Sequence, residues 1–118
     1  MKKILLVDDD KYMLDYMQGI LEDDYEVIAA SNGKDGMSLL LLHIPDLVVL
    51  DLVMPYLDGY QFLDILRDKS LDPKVVILTG VPAHMRESLD SSQVLDIIVK
   101  PFKSQDFLNK IKGLWCKK

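Results

Sequence analysis

Five polar residues close the apolar runs of this chain, and their types suit the handling of a phosphoryl group. Asp8 and Asp9 follow Ile4–Val7, Asp51 interrupts the end of Leu47–Leu52, Thr79 follows Val75–Leu78 and Lys100 follows Ile97–Val99. Carboxylates brought close together repel one another and push one pKa upward, a conflict that a divalent cation removes. The hard oxygen ligands and the scarcity of His and Cys point to Mg²⁺ rather than Zn²⁺. A carboxylate beside such a metal can act as a nucleophile toward phosphorus and carry an aspartyl-phosphate. Lys100 would neutralise charge on the phosphoryl oxygens, and the Thr79 hydroxyl would donate a hydrogen bond to one of them.

Each residue also has a plainer reading. Asp8 and Asp9 taken alone suit a helix N-cap as well as a metal, because aspartate stabilises the positive end of a helix. Thr79 fits a strand as any β-branched residue does, and Lys100 fits a solvated strand end, where it adds little packing. Asp51 resists such a reading, since a carboxylate at the end of Leu47–Leu50 is costly unless paired or metal-bound. It is the ordered set that favours chemistry. Asp58-Gly59 reads as turn punctuation. His43 and His84 read as surface residues, and neither Trp115 nor Cys116 is given a catalytic task.

The elements that must position these residues are visible as alternating patterns. Ile4–Val7, Val27–Ala30, Leu47–Leu52, Val75–Leu78 and Ile97–Val99 read as five strands, most of them continuous in branched apolar residues, as in a parallel sheet buried on both faces. Helical stripes lie between them: Met13, Tyr16, Met17, Ile20 and Leu21; Met37, Leu40, Leu41 and Ile44; Phe62, Ile65 and Leu66; a weak one over Ala83–Ser91; and Phe107, Ile111, Leu114 and Trp115. Leu39 and Leu42 widen the second stripe, as tolerated surface or as a contact patch. This is a (βα)₅ α/β pattern. Right-handed crossovers favour a doubly wound parallel sheet, with strand order 2-1-3-4-5. In such a sheet chain direction alone gathers Asp8, Asp9, Asp51, Thr79 and Lys100 on the carboxyl edge, where ligands bind.

The 118 residues, 49% hydrophobic and 28% charged, fit one domain over 1–118 with its own core. A net charge of −5 argues against generic nucleic-acid or anionic-membrane binding. The single cysteine fits a reducing compartment, the opening apolar run is too short for a secretory signal, and no stretch is long enough to span a bilayer, so a cytoplasmic location is expected.

Val7-Asp8-Asp9-Asp10, the run Asp51-Leu52-Val53-Met54-Pro55-Tyr56-Leu57-Asp58-Gly59, Thr79 and Lys100-Pro101-Phe102 resemble the receiver domains of two-component response regulators, in order and over essentially the whole chain. The resemblance implies a flavodoxin-like fold, with Asp51 as phosphoacceptor. It also implies Asp9, Asp51 and the Val53 carbonyl as direct Mg²⁺ ligands, Asp8 acting through water, and a cis Lys100–Pro101 bond. Its expected partners are a histidine kinase or histidine phosphotransfer protein and an output protein reached by protein contact. Val53 and Val81 would flank the path of the hydrolysing water.

Two positions depart from the family pattern. Ile97 stands where an aromatic switch residue is usual, and Gln93-Val94 replaces a small pair before the fifth strand. Two other readings are open: a pseudo-receiver that binds without phosphate, and a haloacid-dehalogenase-like phosphatase built on Asp8-x-Asp10. The second leaves Asp51-x-x-Met54-Pro55 unexplained.

Overall fold

The computed structural model describes residues 1–80 and 93–115. The expected helix over Ala83–Ser91, together with Val81, His84 and Cys116, lies outside the described residues. Five strands form one parallel sheet: β1 (Lys3–Val7), β2 (Glu26–Ala30), β3 (Leu47–Asp51), β4 (Lys74–Thr79) and β5 (Val94–Val99), in the order β2-β1-β3-β4-β5. Four helices are described: α1 (Lys11–Leu21), α2 (Gly33–His43), α3 (Gly59–Asp68) and α4 (Ser104–Leu114). The doubly wound order expected from the sequence is the one observed.

The period-two geometry of the strands splits the core into two layers. Ile4, Leu6, Leu47, Val49, Val76, Leu78 and Ile98 face α1 and α4, where Leu14, Met17, Phe107 and Ile111 meet them. Leu5, Val7, Val48, Leu50, Val75 and Ile77 face α2 and α3, against Met37, Leu40, Phe62 and Leu66. All five residues of β3 are buried, which explains its unbroken apolar run.

Some stripe residues sit elsewhere than hydropathy suggests. On α1, Leu14 takes the buried position and Tyr16 is exposed, its ring stacked 5.8 Å from Phe102. On α2, Leu41 is exposed, and Ile44 lies beyond the helix end with a left-handed backbone (φ 48°). The strand β5 begins at Val94, three residues earlier than its apolar core suggests. A bulge there shifts the register, so that Val75 pairs with Val94 and Val76 with Asp96. Gln93 has a structural role at its start: its amide donates to the Leu63 carbonyl on α3 at 3.0 Å. Ile97 is half-buried and packs on the α2–α3 layer.

Candidate functional site: an acidic pocket at the carboxyl edge

Register carries the site. Val7 pairs with Leu50, and Asp51 pairs with Leu78, so Asp8 and Asp51 emerge side by side from the two central strands. Asp51 continues the side-chain parity of Leu47 and Val49, as Lys100 continues that of Ile98, toward the α1–α4 layer. Backbone bonds extend the pairing to the edge: Asp8 N–H donates to the Ala30 carbonyl at 3.1 Å and Lys100 N–H to the Thr79 carbonyl at 2.9 Å. The Lys100–Pro101 bond is cis.

The three consecutive aspartates divide their tasks. Asp10 is the N-cap of α1, its carboxylate accepting from the Tyr12 and Met13 amides. Asp8 is fully buried; one oxygen accepts from the Asp10 amide at 2.9 Å and the other from the Lys100 ammonium at 2.9 Å. Asp9 is exposed and stands at the mouth. Asp51 is 5% exposed, with one oxygen 3.4 Å from Lys100 Nζ and the other accepting from the Val53 amide at 3.3 Å. Carboxylate oxygens of Asp8, Asp9 and Asp51 lie within 4.8 Å of one another. Thr79 is buried at the end of the neighbouring β4. The structure thus brings Asp8, Asp9, Asp51 and Lys100 together, with Thr79 on the same edge. Val53 offers its amide to Asp51 while its side chain faces outward.

Burial pushes the Asp51 carboxyl up from 3.8 to about 6, with the Asp8 charge adding to the rise and Lys100 restraining it. For Lys100 burial alone would lower the pKa, but its hydrogen bond and charge contacts with Asp8 and Asp51 outweigh that and raise it above the ordinary lysine value. Three carboxylates against one ammonium leave a local excess of negative charge, two members of which are buried. A hard divalent cation fits that donor set better than a softer metal does, since every ligand atom is an oxygen.

Two signals at this edge carry more than sequence reading credits. Asp58 caps α3 in a reciprocal capping box with Gln61. The adjoining Gly59 is more than turn punctuation: a Cβ there would stand 2.7 Å from the Asp51 carbonyl oxygen and 2.7 Å from Leu52 Cα. The start of α3 therefore rests directly on the strand end that bears Asp51. Gly33 does the same for the β3–α3 loop, where a Cβ would stand 2.5 Å from the Leu57 carbonyl oxygen.

A family model described as the response regulator receiver domain matches residues 4–112 of the chain. The chain belongs to the response regulator receiver domain family. The transcriptional regulatory protein HprR of Escherichia coli (strain K12) is 34% identical over 118 residues, spanning 94% of this chain and 50% of that protein. The receiver domain of the Francisella response regulator 1452 superposes with a TM-score of 0.88 at 28% identity, covering 98% of this chain and 97% of that one. The response regulator TrrA from Thermotoga maritima, solved in complex with Mg²⁺-BeF, gives a TM-score of 0.84 at 33% identity over 97% of this chain and 99% of its own. The chain spans about half the length of the curated relatives it matches.

This receiver domain thus has the fold and ordered motifs that its sequence predicts. The phosphatase alternative is not favoured: Asp10, the second acid of its motif, is spent on capping α1. No helix among the described residues is long and apolar enough to cross a membrane.

Proposed function

We propose that Asp51 is the phosphoacceptor of this receiver domain, taking a phosphoryl group from a phosphohistidine on a histidine kinase or phosphotransfer protein. The observation that carries this reading is a nearly buried carboxylate sharing one lysine with a second buried carboxylate, at the edge where a parallel sheet binds ligands. With its pKa near 6, Asp51 is largely ionised at neutral pH and retains the lone pair a nucleophile needs. One Asp51 oxygen forms a bond to phosphorus while the nitrogen–phosphorus bond of the donor breaks. The electron pair returns to the imidazole nitrogen, which takes up a proton.

Lys100 then has a new anionic neighbour in place of the Asp51 carboxylate, and its ammonium remains within reach of Asp8. The Thr79 hydroxyl donates to a phosphoryl oxygen. Asp8, Asp9, Asp51 and the Val53 carbonyl would hold Mg²⁺, with Asp8 acting through water. When bound, Mg²⁺ offsets the repulsion between these carboxylates and the incoming phosphoryl oxygens. The complex of TrrA with Mg²⁺-BeF, a protein 33% identical to this chain, supports the same ligand chemistry here. Phosphotransfer to Asp51 and its later hydrolysis are reactions of the domain on itself. Output goes through protein contact in the cytoplasm, and the excess of acidic residues in 1–118 disfavours direct contact with nucleic acid by this domain.

Acetyl phosphate with Mg²⁺ should add one phosphoryl group, read by intact mass, and Asp51→Asn should add none. Modification of the variant at the wild-type rate would remove Asp51 from this role. Titration with Mg²⁺ should show weak binding to wild type and weaker binding to Asp9→Ala; equal affinity would remove Asp9 from the metal site.

A further inference from the structure

Tyr56 combines two features that stability alone does not favour. Its backbone is left-handed (φ 67°), a conformation that disfavours side chains and is usually left to Gly or Asn, and its side chain is 98% exposed. It makes no hydrogen bond or ring contact among the described residues, so nothing described within the chain compensates. Nor does the loop leave it free to swing away. Met54 is buried on one side, Leu57 presses against Gly33 on the other, and Gly59 N–H bonds the Leu52 carbonyl at 2.9 Å. The backbone that presents the ring at the surface belongs to a pinned loop.

Its surroundings say what it faces. Tyr56 borders an open groove of about 480 Å³ that is also lined by Asp9 of the acidic pocket and by Asn32–Asp35. Tyr12, 88% exposed, stands in the first turn of α1, two residues after the N-cap Asp10 and on the same edge of the sheet. Asp51 itself is nearly buried, so a protein that brings phosphorus to bonding distance must lay its surface over this edge. The most protruding side chains around the mouth meet it first. Rigid, amphipathic tyrosines are the residues that anchor such contacts, because they bury a large area at little cost in rotamer freedom.

We propose that Tyr56 and Tyr12 are the aromatic anchors on which the phosphohistidine-bearing donor protein docks. The proposal rests on Asp51 as phosphoacceptor, and continuity of the two tyrosines with that site is what selects the occupant.

Two donors separate the anchor from the chemistry. A small acyl phosphate needs only the acidic pocket, whereas a protein donor must also use the rim. Phosphorylation rates are measured for wild type, Tyr56→Asn, Tyr56→Phe, Tyr12→Ala and the Tyr56→Asn/Tyr12→Ala double variant. The donors are acetyl phosphate with Mg²⁺ and, separately, autophosphorylated histidine kinases first profiled against wild type. Asn accepts a left-handed backbone, so Tyr56→Asn keeps the loop while removing the ring.

Acetyl phosphate rates should stay within about twofold, while kcat/KM from the kinase falls about tenfold or more in Tyr56→Asn, mostly through KM, and further in the double variant. Tyr56→Phe should keep most of the kinase rate. Leu42→Ala, an exposed apolar change at the end of α2 on the far edge of the sheet, should alter neither. Unchanged kinase transfer to Tyr56→Asn would overturn the proposal. So would a change in oligomeric state without a change in transfer, equal loss with both donors, or a wild type that accepts from acetyl phosphate and from no kinase. Failure of acetyl phosphate on wild type would instead sink the phosphoacceptor reading, and the anchor with it.

Discussion

The two edges of this one sheet handle charge in opposite ways. At the amino edge charges sit beside counterparts of their own. The Asp46 carboxylate accepts from the Lys3 amide at 2.7 Å, and the Lys3 ammonium lies 3.9 Å from Glu26. The ammonium groups of Lys2 and Lys74 sit 4.9 and 5.4 Å from the centre of the Trp115 ring, whose N–H donates to Tyr25 Oη at 2.8 Å. These groups are mostly exposed and locally balanced. At the carboxyl edge three carboxylates gather, and among the described residues a single ammonium, that of Lys100, pairs with the two that are buried. The strands and register are the same, so the imbalance is not a requirement of the fold. One edge is balanced within the chain, and the other carries an excess of negative charge that the proposed cation would offset.

Removing one cation from each edge gives the largest contrast. Lys100→Ala leaves the fully buried Asp8 and the nearly buried Asp51 without a counter-charge, and breaking a buried pair in this way should cost roughly 2–4 kcal/mol. Lys74→Ala loses only an exposed contact with Trp115 and should stay within about 0.5 kcal/mol of wild type. Urea unfolding in a chelator measures both. Similar small losses would mean that Asp8 is not held by Lys100. The sequence alone makes Lys100 a strand-end cation with little structural weight; its bond to a buried carboxylate revises that.

The repulsion at the carboxyl edge can be tested from the other side. Asp51 has a folded pKa of about 6 against an ordinary 3.8, so ionised Asp51 destabilises the metal-free fold above pH 6. Between those values the folded state holds a proton that the unfolded state has released, and stability from this group falls as pH rises. Below 3.8 both states are protonated and the penalty is gone. Asp51→Asn should therefore be more stable than wild type by roughly 2 kcal/mol at pH 7 in a chelator, with the gap closing toward pH 4. Added Mg²⁺ should reverse the order by binding wild type better. A gap independent of pH would assign the effect to packing.

Much of this edge was legible in the sequence, because strands buried on both faces write themselves as unbroken apolar runs and the polar residue that ends each run stands out. What was not legible is instructive. Three adjacent aspartates look alike until the backbone turns, after which Asp10 caps α1, Asp8 turns inward and Asp9 outward. Tyr16 fits an apolar stripe, but its position leaves it on the surface over Phe102, and Leu14 fills the core. Leu95 and Asp96 hide the first half of β5, since a bulge breaks the periodicity by which strands are recognised. Glycine is silent in any hydropathy pattern, so the close approaches at Gly33 and Gly59 appear only in three dimensions.

Those glycines give a smaller contrast. Gly59→Ala must displace backbone at the Asp51 strand end, an overpacking that should cost about 1–2 kcal/mol and lower the acetyl phosphate rate. Gly19 and Gly113 have open space where a Cβ would go, and both lie within helices. Alanine at either should stabilise by about 0.5–1 kcal/mol and leave phosphorylation alone. Thermal unfolding paired with the mass assay separates the two classes; a neutral Gly59→Ala would mean that α3 can move off β3 freely.

The smallest effect concerns how long the completed edge lasts. Hydrolysis of an aspartyl-phosphate needs a water in line with the bond that breaks, and a side chain that holds the water raises the rate. Val53 stands at this mouth with 62% of its surface exposed, two residues after Asp51, and can only exclude water or leave it unordered. Its amide already bonds one Asp51 oxygen, so the side chain is the part free to change without disturbing the acceptor. Val53→Asn places a donor and an acceptor there and should accelerate loss of the phosphoryl group by about two- to fivefold, about 1 kcal/mol of barrier or less. Because the residue is exposed, stability should hardly change. Decay of the phosphorylated protein after donor removal, followed by intact mass in both proteins, makes the comparison. Equal decay rates would show that access to the phosphorus, set by the buried walls of the pocket, controls the lifetime and that Val53 does not.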